Sequence, residues 1–228
     1  MREKGLSVYV HLPFCARKCR YCDFNSLPGS AKLRGRYLRA LKTEIDRRAE
    51  TLGGQRLSTD VRTIFFGGGT PTMYEGEELA SVLARVTRES GTGNRATATS
   101  PPAPLSVPAR GRKATEALEV TCEANPETVD LAKLRAMREA GFNRISIGAQ
   151  SFHDDELELL GRGHTAGRTE EAVQAAREAG FTNVSLDLIY ALPGQSVERW
   201  RETLLRALAL HPEHLSAYGL ELAEGTPL

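Results

Sequence analysis

The sequence contains no apolar run of membrane-spanning length, and its first residues, MREKGLSVYVHLPFC, are charged and then only briefly apolar. Neither a transmembrane helix nor a cleaved leader is expected. A charge bias is also missing: 30 Lys and Arg face 29 Asp and Glu, for a formal net charge of +1. That balance gives no electrostatic reason to expect nucleic acid or an anionic membrane as partner. The Gly-Lys-Ser/Thr of a Walker loop is absent, which removes the usual phosphate cradle. Cysteine is scarce, with four in 228 residues. The expected compartment is the cytoplasm, where thiols stay reduced, so a disulfide framework is a poor reading of those four.

Hydrophobic residues make up 40% and charged residues 26%, enough for one sizeable α/β core. Strand and helix signals alternate along the chain. Strands are expected at 7–12, 61–66, 118–123, 143–150, 183–190 and in the final HLSAYGLEL. The run VRTIFF is nearly all apolar, as in strands buried on both faces of a parallel sheet. Between them lie helical patterns. One starts at residue 31, with Leu33, Tyr37, Leu38, Leu41 and Ile45 at helical spacing, and stops at Gly53-Gly54. Others cover 76–89, a stretch opened by Pro126 that carries Leu131, Leu134 and Met137, two segments between the strands at 143–150 and 183–190, and 196–210.

An internal repeat supports βα units. LRAMREAGFNRISIG and VQAAREAGFTNVSLD share REAGF at an offset of 39 residues. The glycine should end a helix with positive φ, the phenylalanine should pack the turn, and the next strand follows. Six strand signals separated by helices predict a parallel (β/α)6 arrangement with right-handed crossovers. Pattern alone leaves open a partial barrel or a doubly wound open sheet. Residues 90–116, rich in Ser, Thr, Pro, Ala and Gly, are too poor in large apolar residues to build core and read as a disordered insertion.

The chemistry gathers at one place in this pattern. In parallel α/β folds ligands bind at the carboxyl ends of the strands. The cysteine cluster follows the first strand, GGGTPT the second, Glu123 ends the third, Gln150 follows the fourth, and Asp187 ends the fifth. Cys15, Cys19 and Cys22 lie in HLPFCARKCRYCDF, with gaps that let three thiolates surround one compact object. An iron–sulfur cluster with one open iron is one reading. A zinc site using the same three cysteines and His11 is another. Cys122 reads as a small buried apolar residue. The GGGTPT amides could bond an amino-acid moiety, or the turn could be purely structural. Glu123 and Asp187 suit ribose hydroxyls or an ammonium group, and equally a helix cap or surface ion pair. Gln150 offers donor and acceptor, and Arg162 could pair with a carboxylate. His153, His164, His211 and His214 show no ligand spacing.

YVHLPFCARKCRYC resembles the radical SAM superfamily signature, Cys-x3-Cys-x2-Cys with an aromatic, Tyr21, before the last cysteine. The preceding Tyr-x-His-x-Pro-Phe-Cys, with GGGTPT, EANP, GAQSF, LGRGH and DLIYALPGQ in order, is similar to the group containing oxygen-independent coproporphyrinogen III oxidase and HemW-type heme chaperones. The resemblance implies a partial (β/α)6 TIM-like barrel forming one core domain over residues 1–228. It implies a [4Fe–4S] cluster on Cys15, Cys19 and Cys22, with S-adenosylmethionine (SAM) on the open iron, reduced by one electron to methionine and a 5′-deoxyadenosyl radical. Tyr9, Tyr21, Gly68, Gly69, Thr70, Glu123, Gln150, Arg162 and Asp187 are the implied cofactor-binding positions. The oxidase carries a Cys-x-Cys extension at the third cysteine; here the chain reads Cys22-Asp23-Phe24-Asn25-Ser26, which resembles the HemW branch. That branch implies heme or a porphyrin, recipient hemoproteins and an electron donor as partners. Coproporphyrinogen oxidation is the second reading, and a zinc-stabilised binding module the third. The family continues past EGTPL into a region with a His-containing motif linked to heme binding, and this sequence is expected to lack it.

Overall fold

The computed structural model describes residues 6–51, 61–89 and 118–228. The expected stop at Gly53-Gly54 and the insertion at 90–116 lie outside the described residues. The chain opens with β1 (Leu6–Leu12), followed by two short strands, β2 (Phe14–Cys15) and β3 (Leu27–Pro28), which pair with each other across the cysteine loop. Then come α1 (Ala31–Thr51), β4 (Val61–Gly68), α2 (Gly76–Glu89), β5 (Glu119–Ala124), α3 (Leu131–Ala140) and β6 (Arg144–Gln150). The order closes with α4 (Asp154–Leu159), α5 (Ala166–Glu178), β7 (Val184–Tyr190), α6 (Val197–Ala209) and β8 (His214–Gly219).

Six of these strands form one parallel sheet in the order β1-β4-β5-β6-β7-β8. That order settles what periodicity left open. A doubly wound sheet reverses direction at a switch point, whereas here each new strand adds on the same side as the last, as in a barrel wall. Pairing ends at β1 and β8, so the wall is open, a partial (β/α)6 barrel. No helix among the described residues is long and apolar enough to cross a membrane.

The two REAGF repeats build the same joint twice. Gly141 and Gly180 take φ of 110° and 90°. In each, the glycine N–H bonds the carbonyl three residues back and the phenylalanine N–H the carbonyl five back: Gly141 to Arg138, Phe142 to Met137, Gly180 to Arg177, Phe181 to Ala176. This is the paired bonding of a left-handed helix cap. Phe142 and Phe181 are then buried where each strand enters, and Phe142 meets Phe66 edge-on at 4.9 Å. Cys122 lies in the same core, fully buried.

Two boundaries differ from expectation. Pro126 opens only a 3-10 turn, Pro126–Thr128; Val129 is extended, and α3 starts afterwards from Asp130, whose carboxylate accepts the Lys133 N–H at 2.8 Å. β8 stops at Gly219 because its partner β7 ends at Tyr190, ahead of Ala191 with φ of 60°.

Removing the ring in Phe142→Ala should cost about 3–5 kcal/mol. Gly180→Ala should cost about 1–2 kcal/mol, from backbone strain alone, since an added Cβ meets nothing nearer than Arg138 Nε at 4.0 Å. Urea unfolding of both variants checks this ranking; the reverse order would contradict the joint described.

Candidate functional site

The cysteine loop is folded onto the carboxyl end of the sheet by its own polar groups. Leu27 N–H bonds the Pro13 carbonyl at 2.9 Å and Arg20 N–H the Leu160 carbonyl at 3.0 Å. Lys18 Nζ donates to the Phe24 carbonyl at 2.5 Å and the Ser26 carbonyl at 3.1 Å. These bonds bring the half-buried, reduced Cys15, Cys19 and Cys22 into one cleft. Gly68, Gly69, Thr70, Glu123, Gln150, Arg162 and Asp187 line the same cleft, which holds about 670 Å³ of space partly open to solvent.

Arg162 is the most heavily engaged side chain there. Its Nη2 donates to Asn125 Oδ1 at 2.6 Å and to the Gly148 carbonyl at 2.7 Å. Its Nη1 lies 3.6 Å from Cys19 Sγ and 3.5 Å from the Tyr21 hydroxyl. Gly148 is closely surrounded: a Cβ there would stand 2.8 Å from Gln150 Nε2, which would have to shift, and 3.2 Å from both Arg162 Nη2 and Asn125 Oδ1. A register shift between Gly148 and Gln150 and a positive φ of 65° at Gln150 mark a bulge at this strand end. Such bulges re-aim a side chain at the cost of some backbone strain. Burial pushes the Cys19 thiol up, against the opposing charge and hydrogen bond of Arg162.

The two carboxylates are held differently. Glu123 accepts the Gly68 N–H at 3.2 Å. Burial pushes its carboxyl up from an ordinary 4.5 to about 7, the Gly68 bond opposing and the Asp187 charge adding. Asp187 accepts the Ser146 hydroxyl at 3.1 and 3.2 Å. Burial raises its carboxyl too, against hydrogen bonds from Ser216 and Ser146. Asp187 is in the middle of β7, not at its end as the sequence suggested.

Other expectations are placed as follows. Tyr9 is 58% exposed, stacks on Phe65 at 5.9 Å and does not line the cleft, although the Glu123 charge joins burial in raising its phenol. Gly68, Gly69 and Thr70 line the cleft, with their amides bonded to Glu123, the Leu12 carbonyl and the Phe14 carbonyl. His11 turns its ring to the Asn25 carbonyl at 3.2 Å, outside the lining, so the four-ligand zinc set is not assembled. His164 is buried, 3.2 Å from the Ala149 carbonyl and 3.3 Å from Glu127, and serves to anchor the LGRGH loop. Cys122 gives its thiol proton to the Glu123 carbonyl at 3.4 Å, and burial raises it well above a free thiol. Sequence reasoning missed Asn125, Ser146 and Gly148 as parts of the site, although Asn125 stood in EANP and Gly148 in GAQSF.

A second cavity of about 1190 Å³ adjoins the first. Its apolar lining includes Tyr21, Phe24, Ile189, Tyr218 and Leu220, and its charged lining is Asp23, Glu123, Asp187 and Glu221, without Lys or Arg.

Among the described residues no three His, Cys, Asp or Glu side chains stand close enough to share a single metal ion. A multi-atom cluster takes its thiolates further apart than one ion does. A set of three reduced thiols on one cleft, with a guanidinium beside them, fits an iron–sulfur cluster's donor chemistry.

The raised Glu123 carboxyl makes stability depend on pH. Because its folded value lies above its unfolded value, its contribution is fully present below 4.5 and is lost as pH rises through about 7. Glu123→Gln should therefore gain stability over the parent chain between pH 5 and pH 8, by up to about 3 kcal/mol before solvent screening. Urea melts at both pH values check this; a difference independent of pH would refute it.

The comparisons with known proteins agree with this geometry. The family model described as Radical SAM superfamily matches residues 9–207. The heme chaperone HemW of Bacillus subtilis (strain 168) is 37% identical over 214 residues, covering 94% of this chain and 50% of that protein. The heme chaperone HemW of Escherichia coli (strain K12) is 37% identical over 223 residues, covering 97% and 52%. The chain thus spans about half the length of these curated relatives. Among solved structures, coproporphyrinogen III oxidase (HemN) from Escherichia coli, described as a radical SAM enzyme, superposes with a TM-score of 0.76 at 29% identity, covering 96% of this chain and 45% of that one. The chain belongs to the radical SAM superfamily, and membership implies a [4Fe–4S] cluster and SAM.

Proposed function

We propose that this chain is the radical SAM core of a HemW-type heme chaperone, a protein that binds heme and delivers it to hemoproteins. The observation that carries the reading is the shared cleft of Cys15, Cys19 and Cys22 with Arg162, Gln150, Glu123 and Asp187. In this proposal the three cysteines hold the cluster. Tyr9, Tyr21, Gly68, Gly69, Thr70, Glu123, Gln150, Arg162 and Asp187 form the SAM-binding set. When bound, cluster and SAM together supply one-electron chemistry at a sulfonium.

The residues' own tasks follow from their chemistry. Arg162 sets a buried positive charge beside the thiolates. Glu123 and Asp187 accept hydrogen bonds from hydroxyl or ammonium groups, and Gln150 offers one donor and one acceptor side. The 1–228 core, a cytoplasmic setting that keeps the thiols reduced, an electron donor, heme and its recipient hemoproteins are parts of the same proposal.

Coproporphyrinogen III oxidation is the second reading, favoured by the HemN likeness. One feature weighs against it: Cys22 is followed by Asp23-Phe24 in place of a Cys-x-Cys.

Anaerobic reconstitution with iron and sulfide should give a brown protein whose spectrum changes on adding SAM. Cys19→Ser should lose its iron and Cys122→Ser should keep it. Equal loss from both variants would overturn the ligand assignment, and a colourless zinc protein would remove the family chemistry from this chain. Heme should bind, as followed by its absorbance, while coproporphyrinogen with a reductant should remain undecarboxylated; turnover would move the chain to the oxidase branch.

A further inference from the structure

Each of the three cysteines has its own side-chain donor, and the donors come from different parts of the chain. Thr70 Oγ1 donates toward Cys15 Sγ at 3.5 Å. Arg162 Nη1 donates toward Cys19 Sγ at 3.6 Å. Ser26 Oγ lies 3.9 Å from Cys22 Sγ, and a metal-bound thiolate has no proton to give, so the serine would be the donor. These separations are within reach of a hydrogen bond to the larger sulfur atom.

The two hydroxyls are not free to turn elsewhere. Asn125 Nδ2 donates into Thr70 Oγ1 at 2.9 Å. Lys18 Nζ donates into Ser26 Oγ at 3.3 Å. A hydroxyl that already accepts a bond keeps its own proton for another acceptor, and chains of such bonds strengthen one another. Asn125 in turn accepts from Arg162 Nη2 at 2.6 Å, which ties the Cys15 donor to the Cys19 donor.

We propose that Thr70, Arg162 and Ser26, one donor per thiolate, set the reduction potential of the cluster, with Asn125 and Lys18 as positioning residues for the two hydroxyls. The inference rests on the cluster reading above. One electron from a low-potential donor adds negative charge to the cluster and its sulfurs, and no bond to the donors forms or breaks. Each hydrogen bond to sulfur stabilises that added charge and so raises the potential.

The test is an anaerobic redox titration of the reconstituted 228-residue chain with dithionite, followed by electron paramagnetic resonance, with iron content measured on every sample. Ser26→Ala and Thr70→Val should each shift the midpoint to more negative potential at unchanged iron content. Ser26→Thr and Thr70→Ser, which keep a hydroxyl, should restore it. Midpoints that coincide in all four variants and the parent chain would overturn the proposal while leaving the cluster reading intact. A parent chain that assembles no cluster would overturn both. Should the Ala and Val variants fail to hold iron, resonance Raman spectra of the parent chain decide. Its Fe–S(Cys) stretching bands should move on transfer to D2O, and bands that do not move would overturn the assignment.

Discussion

A guanidinium taken out of water needs acceptors, and Arg162 finds them for its two Nη groups, with Nε buried and unpartnered, by joining segments the sequence keeps far apart. Asn125 after β5, the Gly148 carbonyl in β6, and Cys19 and Tyr21 in the cysteine loop all lie within its reach. A Cβ at Gly148 would crowd Arg162 Nη2 and Asn125 Oδ1 at 3.2 Å. The LGRGH loop that delivers the arginine is itself pinned, by His164 against Ala149 and Glu127 and by the Arg162 N–H on the Leu157 carbonyl at 2.9 Å. Loop, barrel rim and cysteines are thus coupled through one buried cation.

The sheet supplies the platform for that coupling. Because all six strands run parallel, their carboxyl ends share one side, and side chains from β5, β6 and β7 face a common cleft. The helices α1, α2, α3 and α5 pack against one another in sequence and cover the sheet. Burial on that scale is what raises Glu123 and Asp187, so the carboxylates nearest the cofactor cleft are also the ones the fold holds at a cost. Such tension between fold and site is common where ligands bind.

Much of this was readable from residues. The REAGF repeat announced its joint because glycine and phenylalanine have distinct physical duties there, and both copies form the same cap. The apolar run VRTIFF became β4, extended two residues into the glycines. The spacing of Cys15, Cys19 and Cys22 pointed to one shared site, and they line one cleft; Cys122 read as a small buried apolar residue and is buried. Less was legible where position depends on distant segments. Asp187 lies mid-strand in β7, inside the expected strand 183–190 and not at its carboxyl end. The GGGT amides looked available and are bonded to β1, the cysteine loop and Glu123. Tyr9, on β1, lies outside the cleft lining, although its phenol feels the Glu123 charge.

The linear order of residues alone determined the alternation of strand and helix, the parallel wall, and the kind of atom offered to a ligand: sulfur, carboxylate, amide and guanidinium. Those follow from local propensity and side-chain chemistry, which act over a few residues. Tertiary structure alone decided the winding of the sheet into a partial barrel, the pairing of each sulfur with its own donor, and the turning of His11 away from the thiols. Those depend on contacts between segments up to 143 residues apart, and no short-range preference encodes which of many possible partners will meet.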